Sequence, residues 1–223
     1  MKTIHRLAVI GLLSVSQLAC SAMRTVIADF DIDGAAKLVT EAGVEVPGSA
    51  SKLVRVPPPA KRISPYPDLR YDGALFSTTL TINSDGVSGT IVNNAGTPLT
   101  FRFDQARVSS NVQSEPVALE VFGGQIKHTL VAVKPDGPRV IAVPMLSLQP
   151  GEKALLEFVP SYAKLYPSKR LFGVSFVGNS PEIAEAGVGN TLTLRVPVEH
   201  AGKRQIWLLE LKAKETKVRS SYR

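Results

Sequence analysis

The chain has 223 residues, 44% hydrophobic and 20% charged, enough for one good-sized domain with appendages or two small domains. Its 16 prolines and 17 glycines against 8 phenylalanines and 1 tryptophan point to many turns between short elements. The formal charge of +7 is concentrated in the end segments, and the long central part carries none of it, which argues against a basic nucleic-acid-binding groove.

The N-terminus reads as an export signal. Lys2 and Arg6 form a short basic start, Leu7 to Val15 is apolar, and Leu18-Ala19-Cys20-Ser21-Ala22 is a small-residue exit. The apolar run is too short to span a bilayer. Residues 1–19 are therefore excluded from the fold as a signal peptide. Cys20, the only cysteine, stands where the lipobox of bacterial lipoproteins places the residue that becomes acylated, so the segment resembles that family. The position three before it is Gln17 rather than the family's usual Leu, with Leu18 one place later. The resemblance implies a lipid anchor at Cys20 and, with Ser21 following, the periplasmic side of the outer membrane. Ordinary cleavage after Ala22 is the alternative, and would give a soluble periplasmic or secreted protein. Either way no cysteine remains to pair in the folded part, so core packing must hold it.

Residues 20–70 read as an anchor segment and linker. Arg24 to Ile32 alternates loosely like a strand, and Asp33 is placed to cap a short helix over 35–42 that stops at Gly43. Within it, Asp29, Asp31 and Asp33 followed by Gly34 match the first half of a calcium loop, but the twelfth position is Thr40. The reading adopted is an acidic strand edge, with no metal. The same stretch resembles the Asp-x-Asp start of haloacid-dehalogenase phosphatases, whose parallel α/β scaffold nothing downstream supplies. Over 44–70, Pro47, Pro57, Pro58, Pro59, Pro65 and Pro67 favour an extended tether.

From Tyr71 to Leu211 the pattern is that of strands. Leu80–Ile82 runs into a hairpin-type turn at Asn83-Ser84-Asp85-Gly86, and Gly89–Val92 into Asn93-Asn94-Ala95-Gly96. Leu99–Phe103 and Leu192–Val198 alternate with period two. Further strands are expected at Val117–Phe122, Thr129–Val133, Val140–Met145, Ala154–Val159, Phe172–Val177 and Ile206–Leu211, with Trp207 in the core. Weak helices are placed at Ser161–Tyr166 and Pro181–Ala186. The set predicts an all-β fold, an antiparallel immunoglobulin-like β-sandwich of about nine strands over 71–211. The run from Gly89 to Leu99, with its Asn-Asn before Pro98-Leu99, and Leu148-Gln149-Pro150-Gly151-Glu152 resemble bacterial immunoglobulin-like envelope domains. That resemblance implies adaptors, chaperones and accessory lipoproteins more than enzymes.

Signal removal leaves +5, divided as −2 over 20–43, +3 over 44–70, zero over 71–211 and +4 over 212–223. The last twelve residues, with Lys212, Lys214, Lys217, Arg219 and Arg223 against Glu215, read as a basic flexible tail. Basic arms on an exported protein suit anionic lipid, lipopolysaccharide or cell-wall polymer.

Catalytic patterns are sparse. Gly173-Val174-Ser175-Phe176-Val177 lacks the second glycine of a nucleophile elbow. Only His128 and His200 follow the signal, too few for a conventional zinc site. The expectation is a non-enzymatic, membrane-tethered envelope accessory protein without catalytic residues, metal or cofactor, acting on an envelope protein partner. The alternatives are a glycan or cell-wall module using Tyr66, Tyr71, Tyr162 and Tyr166, and an envelope hydrolase.

Overall fold

A computed structural model describes residues 24–57, 68–82, 86–112, 115–125, 142–161, 177–178 and 185–222. These form an all-β, antiparallel fold of fourteen strands. The first is β1 (Arg24–Thr40), followed by the short β2 (Ser51–Lys52) and β3 (Val54–Val56), then β4 (Asp68–Asp72), β5 (Phe76–Ile82) and β6 (Val87–Asn93). A 3-10 turn, Phe103–Gln105, separates β7 (Leu99–Arg102) from β8 (Arg107–Ser110). Next come β9 (Val117–Gln125), β10 (Met145–Leu148), β11 (Lys153–Pro160) and β12 (Val177–Gly178), and the chain ends in a hairpin of β13 (Thr191–His200) and β14 (Lys203–Tyr222).

The strands follow one path, β12-β1-β14-β13-β8-β9-β11-β6-β5-β4-β3, with β7 on β13, β10 on β7, and β2 on β1. The path nearly closes on itself into a barrel-like shape. The seam lies at a corner where β2 pairs with β1 and β3 with β4, Leu53 alone standing between them. Leu53 N–H donates to the Gly34 carbonyl at 2.9 Å, fixing the corner.

Period-two alternation explains most of the elements. Leu192, Leu194, Val196 and Val198 of β13 are buried while Arg195 is exposed, and Ala154, Leu156 and Phe158 alternate with exposed Lys153, Leu155 and Glu157 in β11. Pro197 has no N–H for a ladder. Beside it the neighbouring strand is interrupted: β7 pairs with Val198–His200, β8 with Leu192–Arg195, and the 3-10 turn spans the gap.

A single core joins both halves of the sheet. Trp207 of β14 packs edge-on against Phe76 of β5 at 5.4 Å, and Phe76 in turn against Phe101 of β7 at 5.3 Å. Phe103 meets Phe158 edge-on at 5.7 Å, and Tyr71 stacks on Trp207 at 6.5 Å. Such offset and edge-on pairs add to the burial of large rings.

Four expectations require correction. The helix over 35–42 is absent; β1 continues to Thr40, because Ala36 and Leu38 are buried opposite Leu209 and Trp207 of β14. The cross-strand core outweighs the helical propensity of Ala-Ala-Lys-Leu. Residues 44–57 and 68–70 of the expected linker are not a free tether: β2, β3 and the start of β4 lie in them, with Leu53 and Leu69 in the core, and residues 58–67 lie outside the described residues. Residues 212–222 of the expected tail do not hang free, since β14 runs to Tyr222 and pairs with β1 from Gln205 to that end, with a register shift at Lys214. Finally, residues 142–144 are not a strand, and β10 starts at Met145, after Pro144, which lacks a ladder N–H. The strands placed at Thr129–Val133 and, apart from Val177, at Phe172–Val177 lie outside the described residues. So do the turn residues Asn83-Ser84-Asp85 and almost all of the two weak helices.

Candidate functional site

Antiparallel pairing gives the molecule two poles. At one, β1 ends opposite Gln205, β13 turns into β14 between His200 and Lys203, and β7 starts opposite His200 and Leu148. Both central residues of the β13–β14 turn have positive φ, Ala201 at 48° and Gly202 at 72°, as a tight hairpin turn requires. At the other pole, Arg24 pairs with Tyr222. Beyond Ala213 the only strand pairing of β14 among the described residues is with β1, which carries β12 on its far side at Val26 and Ile27. Among the described residues a narrow ribbon of β1 and β14, edged by β12, therefore extends beyond the rest of the sheet.

The loop pole is held by hydrogen bonds centred on Asn93. Its side-chain amide donates to the carbonyls of Leu148 at 2.9 Å and Thr97 at 3.0 Å, and its side-chain oxygen accepts from Ala95 N–H at 2.8 Å. Its own N–H donates to the Glu152 carbonyl, and Gly151 N–H donates to the Asn93 carbonyl, both at 2.9 Å. Glu152 Oε2 accepts from Gln149 N–H at 2.7 Å, closing the Pro150-Gly151 turn. The Asn-Asn and Pro-Gly-Glu segments thus form one clasp. Asn93 is 1% exposed, so these bonds replace those it would make to water.

Around the clasp lie mixed charges. Arg102 bridges Asp104 at 3.0 Å and Glu199 at 3.6 Å, and the guanidinium holds the Asp104 carboxyl below its ordinary range. Arg204 pairs with Glu41 at 3.2 Å and bonds Gln105. A hollow of about 400 Å³ beside the turn is lined by residues including Pro98, Glu199, His200 and Arg204. His200, on its wall, shares a hydrogen bond of 2.8 Å between its Nε2 and the Thr97 hydroxyl. A hydroxyl–imidazole pair can exchange a proton. Acyl transfer further needs a group orienting the ring and donors for an oxyanion, and no such constellation accompanies the pair among the described residues. The pole suits polar and charged contacts, with Val44 exposed in the 41–45 turn.

Where the ribbon joins the body, opposite charges meet. Asp33 Oδ2 lies 2.6 Å from Lys214 Nζ, and its Oδ1 lies 3.8 Å from Lys52 Nζ. The hydrogen bond from Lys214 is the main reason the Asp33 carboxyl falls below its ordinary value, and it raises the Lys214 ammonium correspondingly. Asp31 pairs with Arg55 at 3.2 Å. An open hollow of about 550 Å³ lies here, with Asp33, Lys52, Lys212 and Thr193 on its rim.

These pairs involve residues that the sequence singles out. The six residues matching a calcium loop lie in the middle of β1, where alternation spaces carboxylates along the strand instead of converging them. Asp31 and Asp33 are engaged by Arg55, Lys52 and Lys214, and no group of three metal-ligating side chains occurs among the described residues. Tyr71 is withdrawn from any glycan platform: it is buried, its hydroxyl donating to the Ser49 carbonyl at 3.1 Å, and burial raises its pKa. Cys20, His128, Ser175, Tyr66, Tyr162 and Tyr166 lie outside the described residues, as do residues 1–19; the backbone of Asp29 is described and pairs with Lys217.

The sequence reading missed Asn93 as the centre of the clasp, although it quoted both segments that meet there. It also missed that acids near the N-terminus and bases near the C-terminus face one another; the opposite signs of the charge over 20–43 and 212–223 were the available signal. No protein-family model matches this chain, and no curated protein or solved structure shows significant similarity to it.

Proposed function

We propose that the chain is a non-enzymatic accessory protein of a bacterial envelope, acylated at Cys20 and held on the periplasmic side of the outer membrane. In this reading its sheet is an immunoglobulin-like sandwich that presents the loop pole to an envelope protein partner. The observation that carries the reading is the course of β1. It begins four residues after Cys20 and runs within one sheet from the ribbon pole to Thr40 at the loop pole. An anchor at Cys20 would then leave the loop pole as the part of the molecule farthest from the membrane.

The sandwich assignment is supported by the aromatic core shared between the two halves and by the clasp uniting Asn93 with Gly151. The mixed charges of Arg102, Glu199, Lys203 and Arg204 match the polar rim of a protein interface better than a sugar-stacking surface. The withdrawal of Tyr71 into the core weakens the glycan reading.

The test is position-specific photo-cross-linking in cells from Val44 and, separately, from Leu155, which is exposed on the flank of the sheet. The mass of the mature N-terminus is determined from the same material. One protein captured in stoichiometric yield at Val44 but not at Leu155, on a chain starting at acylated Cys20, is the expected result. Capture of cell-wall fragments alone would transfer the assignment to a glycan-binding module. A mature N-terminus at Met23 would remove the anchor.

A further inference from the structure

We infer that the tip of the β1–β14 ribbon is an electrostatic foot that rests on anionic phospholipid headgroups beside the anchor. The inference rests on the reading of Cys20 as the lipid-bearing residue and adds a second, independent membrane contact to it.

Three observations carry it. The first is register. Arg24 stands opposite Tyr222, Val26 opposite Ser220, Ile27 opposite Arg219 and Ala28 opposite Val218, so both ends of the described chain meet at one tip. The second is charge along that register. Asp29 pairs in register with Lys217, but between Ala28 and the tip neither strand carries an acid. The charged positions there are Arg24 and Arg219, and Tyr222 is of the type enriched at membrane interfaces. Toward the body, by contrast, Asp31 and Asp33 engage Arg55, Lys52 and Lys214. The outer end of the ribbon thus carries basic positions and no acidic one on either strand, whereas its base carries both signs.

The third is reach. From Cys20 to Arg24 is four residues, at most about 14 Å even fully extended. Acyl chains on Cys20 would therefore bring the tip close to the headgroups, within or near the ~10 Å over which charges act at 0.1 M salt. One acylated residue beside a cationic cluster is a two-signal membrane attachment. The occupant is the phospholipid of the leaflet that holds the anchor, because that surface alone lies within this reach. β14 has 20 residues, and at ~3.3 Å each it spans about 60 Å. With the foot on the bilayer, the loop pole stands at that order of distance from it when the ribbon is upright.

The experiment uses the chain after signal removal, unacylated and with the Cys20 thiol capped. Its partition is measured by sedimentation with vesicles of phosphatidylcholine alone and with about one-third phosphatidylglycerol. Binding is expected to rise at least tenfold with phosphatidylglycerol and to fall back at least tenfold in R24E/R219E. The control K153E/K203E changes net charge equally at the loop pole and is expected to bind like the parent. Urea unfolding of both variants confirms that they are folded. Equal loss in the two variants would show adsorption by net charge, and no preference for phosphatidylglycerol would show no anionic contact; either overturns the foot. Because no acyl chain is present, the result stands apart from the mass of the native N-terminus, which alone decides the anchor.

Discussion

The side-chain amide of Asn93 donates to the carbonyl of Leu148, 55 residues later, at 2.9 Å inside the protein. The bond ties the loop after β6 to the turn before β11, and with Gly151 and Glu152 it sets the shape of the loop pole. Everything proposed for that pole depends on the clasp being intact.

Replacing Asn93 by Ala removes the amide donors to the Leu148 and Thr97 carbonyls, whereas the Ala95 N–H keeps the Leu75 carbonyl as its acceptor at 3.0 Å. Each buried group left unpaired costs about 1–3 kcal/mol, so a loss of about 3 kcal/mol is expected in urea denaturation. Asn93→Asp is expected to be no better, since a carboxylate cannot donate to two carbonyls. A variant as stable as the parent would mean that the clasp is ornamental.

The Asp33–Lys214 contact makes a prediction about pH. The Asp33 carboxyl titrates below its unfolded value because Lys214 bonds its charged form. The unfolded chain therefore binds more protons in that range, and stability rises with pH. The contribution is present above the ordinary carboxylate pKa and disappears as pH falls through the lower folded value. Urea midpoints followed from pH 6 downward should show a shallower acid loss in Asp33→Asn than in the parent. Parallel curves would show that the pair is indifferent to folding. Because both groups are exposed, the difference is expected to shrink in high salt.

Gly34 permits the corner where the sheet nearly closes. A β-carbon there would lie 2.7 Å from Leu53 Cδ1, 2.8 Å from Leu211 Cδ2 and 2.9 Å from the Glu210 carbonyl oxygen. The leucine ends can shift, but the carbonyl belongs to the β14 ladder. Gly34→Ala is expected to cost about 1–3 kcal/mol. Gly96→Ala, where a β-carbon meets nothing within 4 Å, should stay within about 0.5 kcal/mol of the parent. Equal stabilities in thermal melts would refute the account of the corner.

Much of the fold was legible in local patterns. The alternation of Leu192–Val198 and Ala154–Val159, the burial of Trp207 and the turn chemistry of Pro150-Gly151 all follow from side chains a few residues apart. Those features determine an all-β chain with many antiparallel partners. They also brought both halves of the Asn93 clasp to notice as motifs, without bringing them together.

Tertiary structure decided the remainder, wherever an element's partner is distant in sequence. The segment Ala35-Ala36-Lys37-Leu38 can form helix or strand, and only the core residues of β14 opposite it select the strand. The prolines between 44 and 70 suggest a free tether, yet Leu53 and Leu69 reach the core and draw the described parts of that segment, 44–57 and 68–70, into the closing corner. The acids of β1 and the bases of β14 read separately as an acidic edge and a loose basic tail. Pairing along one ribbon converts part of that charge into bridges such as Asp33–Lys214. The physical reason is common to all three: periodicity and turn signals are local, whereas the choice among states of similar local energy is made by non-local burial and pairing.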